Sequence, residues 1–118
     1  MTRLRATAAL VVVTLGIPLG ALSASARPHG GVTVTVTMKE FRFALSKQSV
    51  PRGTVVFQLV NRGKLAHDFK IAGKKSALIK AGKKGRLVVS FGKKGRYPYI
   101  CTVAGHAKLG MKGVLKVT

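Results

Sequence analysis

Apolar and polar side chains alternate along most of the chain after residue 31, with a period of two residues. The segment from Val32 to Met38 is the clearest case, because valine and threonine occupy successive positions there. β-Branched residues in this pattern are typical of a strand with one face in the core and one in solvent. Comparable short runs recur at 41–45, 54–61, 67–72, 86–91, 97–101 and 113–118.

Turn signals separate these runs roughly every 8–12 residues, as in small all-β domains. Examples are Val50-Pro51-Arg52-Gly53 and the near-identical Gly-Lys-Lys-Gly turns at 82–85 and 92–95. Residues 74–81 are the one stretch after residue 26 that is compatible with a short helix. The pattern predicts an all-β fold, either an antiparallel sandwich or a small barrel.

The N-terminal segment has a different character and predicts a targeting signal. Arg3 and Arg5 precede an apolar run from Ala8 to Leu22, and small residues follow at 24–26. This is the pattern of a secretory signal peptide, here comprising residues 1–26. A retained membrane anchor is the alternative, but the run is shorter than the ~20 residues that a spanning helix needs.

The expected mature chain, residues 27–118, is a single small domain in the periplasm or outside the cell, without a transmembrane anchor. The full sequence has 22 Lys+Arg and 2 Asp+Glu, a formal charge of +20, which becomes +18 once the two arginines of the signal peptide are lost. Such a charge indicates an anionic partner or surface. The only acidic side chains are Glu40 and Asp68, which are too few for a calcium cage and leave one possible pair for a glycosidase.

The sequence contains a single cysteine, Cys101, which excludes an internal disulfide. His106 and Met111 follow it within a short segment between two predicted strands. Thiolate, imidazole and thioether together suit copper, and one thiolate with two imidazoles and a weak axial thioether is the donor set of blue-copper sites. The alternative is that Cys101 and Met111 are core residues and His106 is a loop residue.

The second imidazole has to come from another part of the chain. His67 follows a turn at the start of a predicted strand, where the fold can bring it beside the C-terminal loop. His29 lies near the expected mature N-terminus and is a poorer candidate.

The sequence resembles the cupredoxins, the plastocyanin- and azurin-like blue-copper proteins, over nearly all of the expected mature chain. The spacing Cys-x4-His-x4-Met is similar to that of auracyanin and sulfocyanin. The resemblance implies a Greek-key antiparallel β-sandwich with one copper ion, Cu(I) or Cu(II), at one end. It implies His67, Cys101 and His106 as equatorial ligands and Met111 as the axial ligand. The segments that carry it are Phe41-Arg42-Phe43, Asn61-Arg62-Gly63, His67-Asp68-Phe69 and the run from Gly95 to Cys101.

Two positions depart from the pattern of many relatives. This chain has Ala104 where many relatives have proline, and Asp68 where many have asparagine. The resemblance implies that the backbone N–H of residue 68 donates to the Cys101 sulfur. It also implies that the side chain of residue 68 ties the two ligand loops together through Thr102. The alternative for Asp68 is an ion pair with Lys70 or a nearby arginine.

We expect a one-electron carrier rather than an enzyme, because a multicopper oxidase needs more histidines and cysteines and a binuclear copper centre needs two thiolates. Electron exchange is expected at the edge of His106, inside an apolar patch. The charge favours an acidic redox partner or an anionic membrane-associated carrier, with the protein acting as a monomer. The expected patch residues are Leu65, Ala66, Ala107 and Leu109.

Three other functions stay open at this point. A nucleic-acid binder would explain the charge, although the cations are scattered through turns and export argues against it. A copper chaperone or storage protein would share the ligands. A cationic antimicrobial protein would explain charge and export, but not the spacing of Cys101, His106 and Met111.

Overall fold

The computed structural model describes residues 9–13, 16 and 31–118. Most of the expected signal peptide, with its cleavage point after Ala26, lies outside these residues. His29 lies outside them as well. The signal peptide and its cleavage point therefore remain predictions. In the part of the chain that is described, no helix combines the length and the apolar character needed to cross a bilayer.

The domain is built from strands that match the alternating runs of the sequence. The first, β1, begins where the valine–threonine alternation begins, and its valines point into the core while its threonines are half-buried or exposed. The strands are β1 (Val32–Lys39), β2 (Arg42–Leu45), β3 (Ser49–Val50), β4 (Gly53–Asn61), β5 (Lys70–Ile71), β6 (Lys74–Lys75), β7 (Lys84–Phe91), β8 (Gly95–Ile100) and β9 (Lys112–Val117).

The strands form two sheets, with the orders β2-β1-β4-β7 and β3-β9-β8-β5-β6. This confirms the predicted all-β sandwich. Most neighbouring strands are antiparallel, as expected, but β1 pairs with β4 and β3 pairs with β9 in parallel. The parallel pairs arise because β3 lies in the second sheet, so that the chain returns to the first sheet at β4 beside β1.

The core lies between the sheets and is filled by alternate residues of the long strands. In β1, Val34, Val36 and Met38 have no exposed surface, and in β4 the same holds for Val55, Phe57 and Leu59. Aromatic rings pack edge to face across the sandwich, for example Phe43 against Phe69 at a centroid distance of 5.3 Å. The remaining buried apolar residues are Val50, Phe69, Ile71, Ile79, Val89, Phe91, Tyr99, Cys101, Met111, Leu115 and Val117.

Two local expectations are corrected. Residues 74–81 contain β6 and a turn rather than a helix, because Ile79 pairs in an extended conformation with His67. The run at 67–72 contributes only Lys70–Ile71 to a regular strand. Its first residues form a loop instead, in which the backbone of Phe69 exchanges hydrogen bonds with Ser76.

Candidate metal centre

The loop between β8 and β9 folds back on itself and brings its sulfur and imidazole side chains together. The N–H of Cys101 donates to the carbonyl of Met111 (3.0 Å), and the N–H of Met111 donates to the carbonyl of His106 (3.1 Å). Gly105 and Gly110 have φ values of 82° and 118°, which glycine adopts readily and other residues rarely adopt. The loop is thereby closed at its base by backbone hydrogen bonds.

His67 is held in the loop between β4 and β5 by a different set of contacts. Its N–H and C=O both pair with Ile79, at 3.0 and 2.8 Å. The buried amide of Asn61 braces this loop, since its Nδ2 donates to the carbonyls of Leu65 and Ile79, both at 2.8 Å. Its Oδ1 accepts from the N–H of Gly63 at 2.9 Å. The sequence indicates Asn61 only as part of a turn, because its bracing role depends on a residue far along the chain.

The two loops place three ligand atoms in one buried cluster, from His67, Cys101 and His106, all within 4.8 Å of one another. The two Nδ1 atoms of His67 and His106 are 3.1 Å apart, and the Cys101 Sγ lies 3.6 Å from Nδ1 of His106. Met111 is completely buried and contacts both Cys101 and His106 through its backbone. The structure thus brings together the four residues that the sequence singled out, and the ligand roles themselves remain proposals.

The spacing of the donor atoms fits a single metal ion. Zinc, for comparison, binds nitrogen at about 2.0–2.1 Å and sulfur at about 2.3 Å. With tetrahedral angles at the metal, these bond lengths place two nitrogens about 3.3 Å apart and a nitrogen and a sulfur about 3.6 Å apart. The two separations that involve His106, 3.1 and 3.6 Å, are close to these values, and the donor atoms of His67 and Cys101 lie within 4.8 Å of each other. Thiolate and imidazole donors suit copper, so the donor set fits one copper ion.

The carboxylate of Glu40 lies beside the other nitrogen of the His67 ring. Its Oε1 accepts from the N–H groups of Lys64 and Leu65, both at 2.6 Å, and lies 3.3 Å from Nε2 of His67. A proton on Nε2 that donates to this carboxylate leaves the Nδ1 lone pair free for a metal. The sequence pattern misses this role, although Glu40 is one of only two acidic residues, because the residue stands there as a break between two strands.

The protonation preferences of these groups follow from burial and hydrogen bonding. The backbone hydrogen bond from Leu65 is the main cause that lowers the pKa of Glu40 to about 2. Burial is the main cause that lowers the pKa of His67, so its ring stays neutral, as a metal ligand must be. Burial likewise raises the pKa of the Cys101 thiol, while backbone hydrogen bonds at Asp68 and Val103 act in the opposite direction.

Asp68 ties the two ligand loops together, as the resemblance implied. Its Oδ1 accepts from the N–H of Thr102 at 2.6 Å, and its other carboxylate oxygen accepts from the Thr102 hydroxyl. The alternative, an ion pair of Asp68 with Lys70 or a nearby arginine, is not formed within residues 31–118. The acid–base contact in this part of the chain is between His67 and Glu40.

The edge of His106 retains a small exposed area, 8% of the residue. On the protein side its ring packs against Phe41 with a centroid distance of 5.1 Å. Leu109, whose N–H donates to the His106 carbonyl, and Leu65, close to His67 in sequence, are both exposed. These side chains give the metal end of the domain an apolar surface.

The chain matches the cupredoxin-like domain family over residues 8–117. No curated protein matches it. Among solved structures, auracyanin B is 24% identical with a TM-score of 0.65, covering 73% of this chain and 88% of that one. Reduced auracyanin from the photosynthetic bacterium Roseiflexus castenholzii is 20% identical with a TM-score of 0.63, covering 75% and 98%. Auracyanin A, a "blue" copper protein from the green thermophilic photosynthetic bacterium Chloroflexus aurantiacus, is 22% identical with a TM-score of 0.61, covering 75% and 100%.

Proposed function

The chain belongs to the cupredoxin-like domain family, and from this we propose that it is a mononuclear blue-copper protein that carries single electrons. The observation that carries the proposal is the convergence of two imidazole nitrogens and one thiol sulfur, from His67, His106 and Cys101, in one buried cluster. This is the equatorial donor set of a blue-copper site. We propose that Met111, which is buried and bonded through its backbone to Cys101 and His106, supplies the weak axial thioether. When bound, the copper ion supplies the couple between Cu(I) and Cu(II).

The protein's own contribution is to hold the donors in place before and during the reaction. Backbone hydrogen bonds fix the loop of Cys101 and His106, and pairing with Ile79 fixes His67. The contact between Asp68 and Thr102 locks the two loops to each other. Because the donors are held by contacts that do not involve a metal, a change of charge at the site requires little rearrangement of the chain.

We propose that the protein is a carrier rather than an enzyme. Its single cysteine and three histidines supply one mononuclear site, whereas a multicopper oxidase needs several copper ions. Of the four donor residues, His106 retains the most exposed surface, 8%, and we propose that the electron passes there.

We also propose that the protein is exported and exchanges electrons at its apolar end with an acidic redox partner or a carrier on an anionic membrane. The apolar surface at Leu65 and Leu109 supports the location, and the formal charge of +20 supports the sign of the partner. Electron transfer to such a partner is expected to slow as ionic strength rises, because the Debye length shrinks from about 10 Å at 0.1 M to about 3 Å at 1 M salt. A rate that does not depend on salt would contradict this assignment of the charge.

The test of copper function is the visible spectrum of the oxidised, copper-loaded protein, with copper measured by elemental analysis. A Cys101 thiolate bound to Cu(II) gives an intense blue charge-transfer band, and Cys101→Ser is expected to abolish the band and most of the tight binding. A storage protein or chaperone that shares the histidines would bind copper without this band. A colourless wild-type protein that contains stoichiometric copper would therefore end the blue-copper proposal.

A further inference from the structure

The outer face of the second sheet carries cations directly opposite one another. Arg96 in β8 pairs with Lys116 in β9, and Lys70 in β5 pairs with Lys75 in β6. All four side chains are exposed. Like charges at directly paired positions are unfavourable for a sheet, so these residues do not stabilise the domain on their own.

No acidic side chain is available to neutralise this face. The two acids of the chain are Glu40 and Asp68, and both are engaged at the metal centre. Glu40 accepts hydrogen bonds from the backbone of Lys64 and Leu65. Asp68 accepts from Thr102. The positive charge of the sheet is therefore uncompensated within the molecule and attracts an anionic surface.

Apolar side chains lie in the middle of the same face. Pro98 in β8 pairs with Val114 in β9. Two residues further along β8, Ile100 lies between Lys112 of β9 and Lys70 of β5. Ile100 is 36% and Val114 is 43% exposed, although neither is needed for the core. We call this surface the cationic face; it comprises Lys70, Lys75, Arg96, Pro98, Ile100, Lys112, Val114 and Lys116.

The outer face of the first sheet has a different composition. In β4 and β7 the outward pairs are Thr54 with Ser90, Val56 with Val88, and Gln58 with Arg86, followed by Val60 with Lys84. At these positions no cation faces another, and the one such pair of this sheet is Lys39 with Arg42, where β1 pairs with β2. The cationic face has two such pairs, and it continues at its far end into a groove that Arg52, Lys94, Arg96 and Lys116 line. More of the opposed and grouped charge therefore lies on this side of the sandwich.

We infer that the cationic face docks on an anionic phospholipid bilayer. Lysine and arginine near an anionic membrane each contribute favourable binding energy, and exposed side chains such as Ile100 and Val114 can enter the interfacial region. A face of one sign without a single acid offers no alternation of charge to fix the register of a protein partner, whereas a bilayer is laterally uniform and needs no register. This surface goes beyond the proposed electron transfer and is a side of the sandwich, whereas the edge of His106 belongs to its end.

The test measures binding of the full chain to vesicles of phosphatidylglycerol and phosphatidylcholine, compared with phosphatidylcholine alone. The double variant Arg96→Gln/Lys116→Gln removes one opposed pair of the cationic face, far from the metal ligands. Because each cation contributes about a five-fold factor, partitioning into the anionic vesicles is expected to fall about 30-fold. The matched variant Lys84→Gln/Arg86→Gln removes the same charge from the other sheet and is expected to lower partitioning by less than about five-fold.

The N-terminal segment is identical in all three proteins, so differences between them belong to the substituted faces. Circular dichroism verifies folding, and Val114→Ser provides a second variant of the face should the double variant lose its strand signal. An equal loss in both double variants would assign binding to net charge alone and overturn the inference, as would the absence of any preference for phosphatidylglycerol. Loss of binding to polyglutamate with unchanged vesicle binding would reassign the face to an acidic protein. None of these readouts depends on copper, so they are independent of the blue-copper test.

Discussion

The carboxylate of Glu40 and the imidazole of His67 face each other at 3.3 Å, on the side of the ring that points away from the metal cluster. The same carboxylate oxygen accepts from two backbone N–H groups of the loop that precedes His67. One side chain from the end of β1 thus holds both the loop and the ring. A carboxylate behind a metal-binding imidazole fixes its tautomer and raises its basicity.

The first prediction concerns this carboxylate. Glu40→Gln keeps an oxygen that can accept hydrogen bonds but removes the negative charge behind the ring. We expect the reduction potential to rise, since Cu(II) loses more stabilisation than Cu(I), and Cu(II) affinity to fall about ten-fold or more. Voltammetry and competition with a chelator measure these quantities. The control is Lys39→Gln, which removes a positive charge from an exposed neighbouring residue. An unchanged reduction potential in Glu40→Gln would show that Glu40 only holds the loop.

The second prediction concerns Asn61, whose buried amide makes hydrogen bonds to Gly63, Leu65 and Ile79. Asn61→Ala is expected to lower the free energy of unfolding by about 2–4 kcal/mol, because each lost bond costs about 1 kcal/mol and buried partners are left unsatisfied. Asn61→Asp should cost at least as much, since a carboxylate oxygen would face two carbonyl oxygens. Denaturant unfolding of the copper-free protein is the measurement. Gln58→Ala, on the exposed side of the same strand, is the control, and an equal loss there would contradict the bracing role.

The third prediction separates an axial ligand from a core residue at Met111, which is completely buried. If Met111 is a ligand, Met111→Leu keeps the blue band but raises the reduction potential, because the oxidised copper loses a donor. If Met111 is only a core residue, the replacement conserves volume and lowers the free energy of unfolding by less than about 1.5 kcal/mol. The reduction potential then changes little. Met38→Leu, a buried methionine outside the donor cluster, provides the matched control. Equal potentials in both variants would remove Met111 from the ligand set.

The fourth prediction concerns the strand that follows the ligand loop. Gly113 lies opposite Tyr99 in the pairing of β8 and β9, and a methyl group on Gly113 would overlap the phenol ring, with Cε2 only 2.7 Å away. Gly113→Ala is expected to destabilise the domain by about 1–3 kcal/mol, as overpacking does. Gly92→Ala is the control, because a methyl group there meets nothing within 4 Å. Thermal unfolding that is equally affected in both variants would contradict the role of the close contact.

The long strands and the donor chemistry of the site follow from local features of the chain. A period of two is a local property, and a buried face imposes it directly, which is why the runs at 32–38, 54–61 and 86–91 form β1, β4 and β7. The donors of the C-terminal loop are also local, since Cys101, His106 and Met111 are close along the chain. Their spacing alone therefore indicates a metal site.

The residues that complete this site are distant along the chain, and folding alone brings them together. Glu40 lies 27 positions from His67, and Ile79 adopts an extended conformation rather than a helix because its backbone pairs with His67. The parallel pairing of β1 with β4 likewise depends on where β3 crosses to the other sheet. The opposed cations of the cationic face are invisible in the sequence, because the register between strands decides which residues face each other. Such contacts depend on how the whole chain packs its core, and a local pattern carries no information about them.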